Sequence, residues 1–232
     1  MIPVLICPIV NRPDLLRRML ASVDVPVGRI VVVDMTDAPE PVHPDQLTIR
    51  PLISLGYPGA INAGIMQTPD APWWLFASND IVFAPGDLTE IVGLIEESEG
   101  PAFVTGDRAD DRMLRNAYGA VNVAAIEAIG LFDEHAFYPI YFDDDDWERR
   151  CHLGGVEWVE FNGQIHHDRS STIRSDARAA DGNGRTFAEN RRRYMEKWGG
   201  GPGGERFTTP YGLEVPLSFM RPDPAGRAAR AW

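Results

Sequence analysis

The sequence contains few cysteines, few basic residues and no long hydrophobic run. Only Cys7 and Cys151 occur among its 232 residues, and they form no CxxC pair, so we expect neither a disulfide framework nor a zinc cluster. Lys and Arg number 22 against 34 Asp and Glu, and this acidic balance disfavours general binding to nucleic acid. No apolar run approaches the roughly 18 residues of a membrane helix, and no basic leader precedes the first apolar stretch. These absences predict a cytoplasmic protein without an integral membrane segment.

The sequence also lacks the glycine-rich loops that commonly bind phosphate. Neither GxGxxG nor GxxxxGK[ST] occurs, and the turn after the first apolar segment reads CPIVNRP. A phosphorylated ligand must therefore be neutralised in another way. Because acidic proteins usually do this with a divalent cation held by carboxylate oxygens, we expect a metal site.

The pattern of hydrophobic residues predicts an α/β protein. Hydrophobic residues make up 44% of the chain, enough for a buried core, and short apolar segments alternate with amphipathic ones. This alternation favours a mostly parallel sheet flanked by helices. The strands predicted in the first half are 3–10, 29–35, 47–52 and 72–80, and the predicted helices begin at Pro13, Gly59 and Asp87, the last with a capping box to Glu90.

The second half is less regular. It contains a predicted strand from Pro101, an irregular stretch through 117–123, and a short helix stopped by Gly130. The remaining predicted elements are a helix over 143–155, a strand over 156–161, a polar loop over 168–185 and a basic helix over 186–200. The loop contains Arg169, Arg174 and Arg178, and it is explained equally well as a lid over a bound ligand and as a solvated connector. We interpret residues 1–198 as one domain and 199–232 as a Gly/Pro-rich tail.

Three polar groups follow predicted strands. Ligands of open parallel sheets bind where the carboxyl ends of the strands meet, so one cleft could collect all three groups. Each group alone is explained equally well as a helix cap or a turn. The candidates are Asn11 and Arg12 after the first strand, Asp34 at the end of the second, and Ser78, Asn79 and Asp80 after the fourth.

Four consecutive acids, Asp143 to Asp146, form the most unusual feature of the chain. Acids at a helix N-terminus interact well with the helix dipole, but four of them repel one another. An apolar, aromatic segment precedes them, so part of the cluster should be semi-buried, with raised and coupled pKa values that suit a general base. The spacing does not match a calcium-binding loop. We therefore favour a catalytic role over a structural one.

Two adjacent histidines, His166 and His167, close the last strand-like segment. Imidazole is a common metal ligand and could complement Asp80. In an extended segment only one of two neighbouring side chains points inward. The sequence leaves open which one does.

In chain order, these features resemble the motifs of family-2 glycosyltransferases over roughly residues 3–200. Asp144 stands where that family has its catalytic base, and Asp80 stands in its metal-binding triplet. The segments that carry the resemblance are VLICPIVNRPDLLRRMLASV, RIVVVDM, GAINAGI, WWLFASNDIVFAPGDL, GLFDEHAFYPIYFDDDDWERRCHLGG and IHH, followed by NRRRYMEKWGG.

The resemblance implies a glycosyltransferase A fold, which is Rossmann-like, with a nucleotide-binding part to about residue 100 and an acceptor-binding part over about 101–198. It also implies an inverting transfer from a UDP-, GDP- or dTDP-linked sugar to an acceptor hydroxyl. It implies Mn²⁺ or Mg²⁺ on Asp80 with His166 or His167, and Asp144 as general base. The acceptor would be a glycan, a protein, a lipid-linked sugar or a small molecule. The implied nucleotide-sugar contacts are Pro8, Asn11, Arg12, Asp34, Gly59, Asn62, Ser78 and Asn79, and the acceptor-side residues are Asp143, Asp145 and Trp147.

Some residues depart from the family pattern. Ser78 replaces the first carboxylate of the metal triplet, and Asp143 replaces a glutamate, so Asp143 or Asp145 could be the base instead. A non-catalytic nucleotide-sugar or carbohydrate-binding module is therefore the alternative function. A sugar-phosphate nucleotidyltransferase is disfavoured because the first turn lacks a Gly-rich loop.

Overall fold

The structure, a computed structural model, describes residues 1–37, 42–106, 116–168 and 177–208. These residues form nine strands and six helices. The strands are β1 (Ile2–Ile9), β2 (Val27–Asp34), β3 (Gln46–Ile49), β4 (Trp73–Ala77), β5 (Ile81–Val82), β6 (Ala102–Gly106), β7 (Tyr118–Asn122), β8 (Glu157–Phe161) and β9 (His166–His167). The helices are α1 (Pro13–Ala21), α2 (Gly56–Gln67), α3 (Asp87–Glu97), α4 (Val123–Ile129), α5 (Asp143–Gly154) and α6 (Ala177–Trp198).

Seven strands form one mostly parallel sheet in the order β3-β2-β1-β4-β7-β6-β8. β7 alone runs antiparallel to its neighbours, β4 and β6. The order reverses beside β1, because the chain passes from β1 outward to β2 and β3 and then returns to β4. The carboxyl ends of β1 and β4 therefore lie side by side, at the position where ligands bind in doubly wound sheets.

Both faces of the sheet are buried, as the apolar strands predict. On β1, Leu5 and Cys7 face one apolar cluster and Val4 and Ile6 face the other. The first cluster includes residues of α1 and α3, and the second includes residues of α2, α4 and α5. Burying each large aliphatic side chain contributes about 1.5–3 kcal/mol, so this double layer is the main stabilising term.

The prediction of an irregular stretch around residue 120 was wrong, because β7 lies there. Its sequence is Tyr-Gly-Ala-Val-Asn, which lacks the β-branched run that marks a strand. Gly119 is needed by packing, since a Cβ atom at this position would lie 2.5 Å from the ring of Phe76 and 2.6 Å from that of Phe103. Tertiary contacts, and not local propensity, place the strand.

Two helix boundaries also differ from the predictions. Asp87 is the first residue of α3 and not its N-cap; the cap is Gly86, and the Asp87 carboxylate accepts from the backbone N–H of Ala84 and Gln164. The predicted capping box is therefore absent. α6 begins at Ala177, inside the predicted polar loop, where alanine and arginine are strong helix formers. Arg169 and Arg174 of that predicted lid lie outside the described residues, as does 209–232 of the predicted tail.

Candidate active site

A small second sheet brings Asp80 and His167 together. β5 and β9 pair antiparallel, with Ile81 opposite His167, and the Asp168 N–H donates to the carbonyl of Asp80 at 3.0 Å. His167 Nε2 consequently lies 3.4 Å from Asp80 Oδ1, and both side chains are nearly buried. His166 points to the opposite face, 68% exposed and 2.9 Å from Asp168. Of the two histidines, His167 is therefore the one that lies beside Asp80, and its role as a metal ligand stays a prediction.

The four acids begin α5 but do not act as one group. Asp143 and Asp144 line a cavity at the carboxyl end of the sheet. Asp146 is fully buried on the other side, where it accepts from Arg150 and from the Trp198 indole. Asp145 lies outside the cavity lining. Asp146 therefore has a structural role, and Asp143 and Asp144 are the members of the run that face the cavity.

The backbone entering α5 has an unusual conformation. Tyr141 and Phe142 have φ values of 82° and 65°, in the left-handed region that costs about 1 kcal/mol or more for such residues. The Asn190 side chain donates to the carbonyls of Ile140 and Tyr141 and so ties this segment to α6. Strain of this kind is common where side chains are held for function. Here it directs the start of α5 toward the cavity.

Asp143 is electrostatically perturbed. Burial is the main cause of its raised pKa, and the neighbouring Asp144 carboxylate adds to it. The Asp143 side chain is 2% exposed. The predicted semi-buried carboxylates are therefore present, and the buried one is Asp143, while Asp144 is partly exposed on the cavity wall.

The cavity has a volume of about 360 Å³. It is lined by the ends of β1 and β4, the start of α2, the segment before β7, the 139–141 segment and the start of α5. Seven of the predicted site residues line it: Pro8, Ser78, Asn79, Asp80, Asp143, Asp144 and His167.

Two polar residues of the cavity were missed by sequence reasoning. The buried Tyr57 hydroxyl donates to the Asn116 carbonyl at 2.8 Å and lies 3.3 Å from Ser78 Oγ. Asn116 has a φ of 56° and is 8% exposed. No sequence signal identified Asn116, because it precedes a strand that was itself not predicted. Tyr57 lies two residues before the recognised Gly-containing segment, where α2 was predicted to begin.

The polar residues after β1 and β2 form a network beside the cavity. The Asn11 side-chain oxygen accepts from the Asp37 N–H at 3.1 Å, and Asp34 accepts from the Thr36 N–H at 3.0 Å. Neither Asn11 nor Asp34 is among the residues that line the cavity. Arg12 pairs with Asp14 through two hydrogen bonds of 2.8 and 2.9 Å, and its predicted contact with nucleotide stays a prediction.

Gly59 and Asn62 support the cavity from behind and do not line it. The Asn62 side chain donates to the Phe132 carbonyl and to Glu134, and accepts from the Phe132 N–H. Gly59 leaves room for Glu134, whose carboxylate lies 3.2 Å from where a Cβ atom would be. Asn62 is 2% exposed and Gly59 is also buried, so both residues have a packing role here, and their predicted nucleotide contacts find no support in the cavity lining.

The prediction that Trp147 contacts the acceptor is contradicted by its burial. Its indole is fully buried and stacks on Phe132, with the ring centroids 4.0 Å apart and the planes 12° apart. A ring enclosed in this way cannot stack on a sugar. Trp147 instead holds α5 against the sheet.

The donor set at Asp80 and His167 suits a divalent cation. A carboxylate oxygen and an imidazole nitrogen are ligands that Mn²⁺ accepts. Within the described residues there is no group of three or more His, Cys, Asp or Glu arranged to hold a metal. Mg²⁺-like ions are often held by one or two protein groups together with substrate phosphates, so a two-residue site fits a cation that arrives with a diphosphate.

Comparison with solved structures identifies this architecture as a glycosyltransferase A fold. Glucosyl-3-phosphoglycerate synthase from Mycobacterium tuberculosis, in complex with Mn²⁺, UDP and glucosyl-3-phosphoglycerate, is similar with a TM-score of 0.61 at 15% identity. The alignment covers 95% of this chain and 92% of that one. The expected α/β class and mostly parallel sheet are thereby confirmed.

Two further structures share the fold. A mannosyltransferase from Pyrobaculum calidifontis in complex with GDP-Man and Mn²⁺ has a TM-score of 0.55 at 16% identity, covering 69% of this chain and 54% of that one. TarS from S. aureus has a TM-score of 0.52 at 15% identity, covering 84% and 72%. No protein-family model and no curated protein sequence matches the chain. Across the described residues, none of the helices combines the length and apolarity needed to span a bilayer.

Proposed function

We propose that this protein is an inverting glycosyltransferase that moves a sugar from a nucleotide-sugar donor to an acceptor hydroxyl. The observation that carries the proposal is the convergence of Asp80, His167 and Asp144 on one cavity at the carboxyl ends of β1 and β4. Similar structures contain UDP or GDP-Man together with Mn²⁺, which supports this choice of ligand. The family-2 motifs in the sequence support it independently.

Asp80 and His167 are the proposed ligands of Mn²⁺ or Mg²⁺, the remaining positions being filled by the donor diphosphate. The cation, when bound, offsets the negative charge that develops on the departing nucleoside diphosphate. The chain offers no glycine-rich phosphate loop that would do this work. The donor would be a UDP-, GDP- or dTDP-linked sugar, with its nucleoside toward the ends of β1 and β2.

Asp144 is the proposed general base. It removes the proton of the acceptor hydroxyl as that oxygen attacks the anomeric carbon, on the face opposite the departing diphosphate. Asp144 lines the cavity and is partly exposed, so an acceptor can reach it. The acceptor is a glycan, a protein, a lipid-linked sugar or a small molecule.

The donor site is tested by thermal unfolding with UDP-, GDP-, dTDP- and CMP-sugars, each with and without Mn²⁺. A ligand that binds only the folded state raises the melting temperature by mass action. We expect one nucleotide to give a Mn²⁺-dependent increase that Asp80→Ala abolishes. Asp45→Ala, an exposed carboxylate outside the cavity, is the matched control and should keep the increase. An absence of any increase in the wild-type protein would overturn the proposal.

Turnover is tested by hydrolysis and transfer from the donor so identified. Asp144→Asn should reduce turnover by roughly a hundredfold or more while leaving donor binding in place. Asp145→Asn, one residue along the chain and outside the cavity lining, should retain most of it. The reverse pattern would move the base to Asp145.

The alternative function is a non-catalytic nucleotide-sugar-binding module. Ser78 in place of a carboxylate favours it, because only two side chains then remain for the cation. Donor binding without turnover on any acceptor, in a protein with Asp144 intact, would select this alternative.

A further inference from the structure

Two buried polar atoms in the cavity wall have no hydrogen-bond partner within the described parts of the chain. They are the side-chain nitrogen of Asn79 and the side-chain oxygen of Asn116. These residues are 7% and 8% exposed, and both line the cavity. A buried donor or acceptor left unpaired costs about 1–3 kcal/mol, so such atoms call for an explanation.

The two asparagines are fixed next to each other by the backbone. The N–H of Ser78, which precedes Asn79, donates to the carbonyl of Ala117, which follows Asn116, at 2.7 Å. The Tyr57 hydroxyl donates to the Asn116 carbonyl at 2.8 Å. Asn116 N–H in turn donates to Thr105 Oγ1 at 3.1 Å. The main chain of Asn116 is thus held from several sides while its side-chain oxygen stays unpaired.

The conformation of Asn116 adds to this picture. Its φ of 56° lies in the left-handed region, which asparagine tolerates better than most residues but glycine tolerates best. The backbone geometry alone would therefore be met by glycine. The backbone therefore does not account for the side-chain amide, whose unpaired oxygen belongs to a residue that lines the cavity.

The position of this pair relative to the proposed site indicates which part of a ligand it meets. Burial raises the pKa of Tyr57, the Ser78 hydrogen bond opposes this rise, and the carboxylates of Asp143, Asp80 and Asp144 add to it. Tyr57 and Asn116 line the same cavity as the candidate metal ligand, Asp80, and the candidate base, Asp144. In the proposed reaction the transferred sugar occupies this cavity, between the diphosphate and the acceptor.

We propose that Asn116, together with Asn79, determines donor specificity by binding one hydroxyl group of the transferred sugar. A hydroxyl can donate to the Asn116 oxygen and accept from the Asn79 nitrogen, so it satisfies both atoms at once. A site built in this way rejects a sugar without that hydroxyl, because the two buried groups are then left unpaired. This inference rests on the proposed function, since it takes the ligand to be a nucleotide sugar.

The test measures binding affinity by isothermal titration calorimetry in the presence of Mn²⁺. Three kinds of ligand are compared: the UDP-, GDP- or dTDP-hexose that binds the wild type, its parent nucleoside diphosphate, and its monodeoxy analogues. Asn116→Gly removes the oxygen and keeps the left-handed backbone favourable. We expect this variant to bind the nucleotide hexose roughly tenfold or more weakly than the wild type does, and to bind the nucleoside diphosphate within about twofold of the wild-type affinity. One monodeoxy analogue should bind the wild type more weakly than the full hexose by a similar factor. The same analogue should bind Asn116→Gly no more weakly than the full hexose does, because non-additive losses of this kind indicate a direct contact.

Asn79→Ala provides a second, independent variant. It should also bind the nucleotide hexose more weakly, and the same monodeoxy analogue should show no further loss of affinity. It decides the matter by itself if Asn116→Gly does not fold. Asn162→Gly, an exposed asparagine outside the cavity lining, is the matched control. Unchanged preference for the hexose over the nucleoside diphosphate in the cavity variants would overturn this inference and leave the proposed function standing. No binding of any nucleotide sugar to the wild type would overturn both.

Discussion

The ammonium group of Lys197 lies 2.7 Å from Asp146 Oδ1, and both side chains are buried, at 7% and 0% exposure. Lys197 also lies 2.7 Å from Asp133, and Asp146 also accepts from Arg150 and Trp198. This network joins α6, near the end of the described chain, to α5, whose first turn carries the candidate base. The C-terminal helix is therefore part of the support of the site.

Replacing Lys197 with methionine should lower the free energy of unfolding by about 3 kcal/mol, because it removes a shared cation from the fully buried Asp146 and from the partly buried Asp133. Burial by itself would raise the pKa of Asp133, but the hydrogen bond and charge of Lys197 lower it below its ordinary value. Urea unfolding at pH 7 measures the change. Arg192→Met on the exposed face of the same helix is the control, and it should unfold close to the wild type. Equal stabilities of the two variants would show that the buried network is not stabilising.

Asp143→Asn should stabilise the protein at neutral pH. The raised pKa of Asp143 means that the folded state binds a proton more tightly than the unfolded state, so stability falls as pH rises from the ordinary aspartate pKa through the raised one. Asparagine does not ionise and avoids this loss. Thermal unfolding in metal-free buffer should show a higher melting temperature for the variant at pH 7.5 and a smaller difference at pH 4.5. Asp45→Asn, an exposed carboxylate, should show no such trend. A variant less stable than the wild type at pH 7.5 would contradict this account.

The two neighbouring histidines should respond differently to substitution. His167→Ala removes a proposed metal ligand beside Asp80 and should raise the Mn²⁺ concentration needed for donor binding by roughly tenfold or more. His166→Ala removes an exposed side chain and should leave it nearly unchanged. Titration of Mn²⁺ at fixed donor concentration, followed by the melting temperature, measures both. Equal effects would place the cation elsewhere.

Two glycine substitutions should have opposite effects on stability. A Cβ atom at Gly64 would lie 2.6 Å from Ile6 Cγ2, so Gly64→Ala should destabilise the fold by about 1–3 kcal/mol through overpacking of α2 on β1. Gly93 on α3 has open space, and Gly93→Ala should stabilise by about 0.5–1 kcal/mol through helix propensity. Both variants are compared by urea unfolding. A stabilising Gly64→Ala would show that α2 packs less closely than described.

The regular part of the fold was predictable from local pattern. The apolar runs of β1, β2 and β4 and the periodicity of α1 carry information in their own sequences, so their order and type were confirmed. β7 could not be predicted, because its small residues fit only between the rings of Phe76 and Phe103. The early start of α6 was also missed, since its glycines at 182 and 184 resemble a loop.

The candidate site was predictable where a motif falls at a strand or helix end. Asp80 and Asp144 belong to such motifs, and the structure brings both to the cavity. Asn62 and Trp147 were predicted to contact ligands because they belong to sequence motifs. A motif does not show whether a side chain points toward the cavity or into the core, and both of these side chains are buried in the core. Asn116 had no motif, and only the pairing of β7 with β4 brings it to the site.

The reversed direction of β7 also affects which strand ends meet beside the cavity. Because β7 runs against β4 and β6, the end of β6 at Gly106 and the start of β7 near Asn116 lie at the same edge of the sheet as the cavity. One reversed strand therefore brings the end of β6, the end of β4 and the start of β7 together on the cavity side of the sheet, where three neighbouring strand ends can contribute residues to a single site.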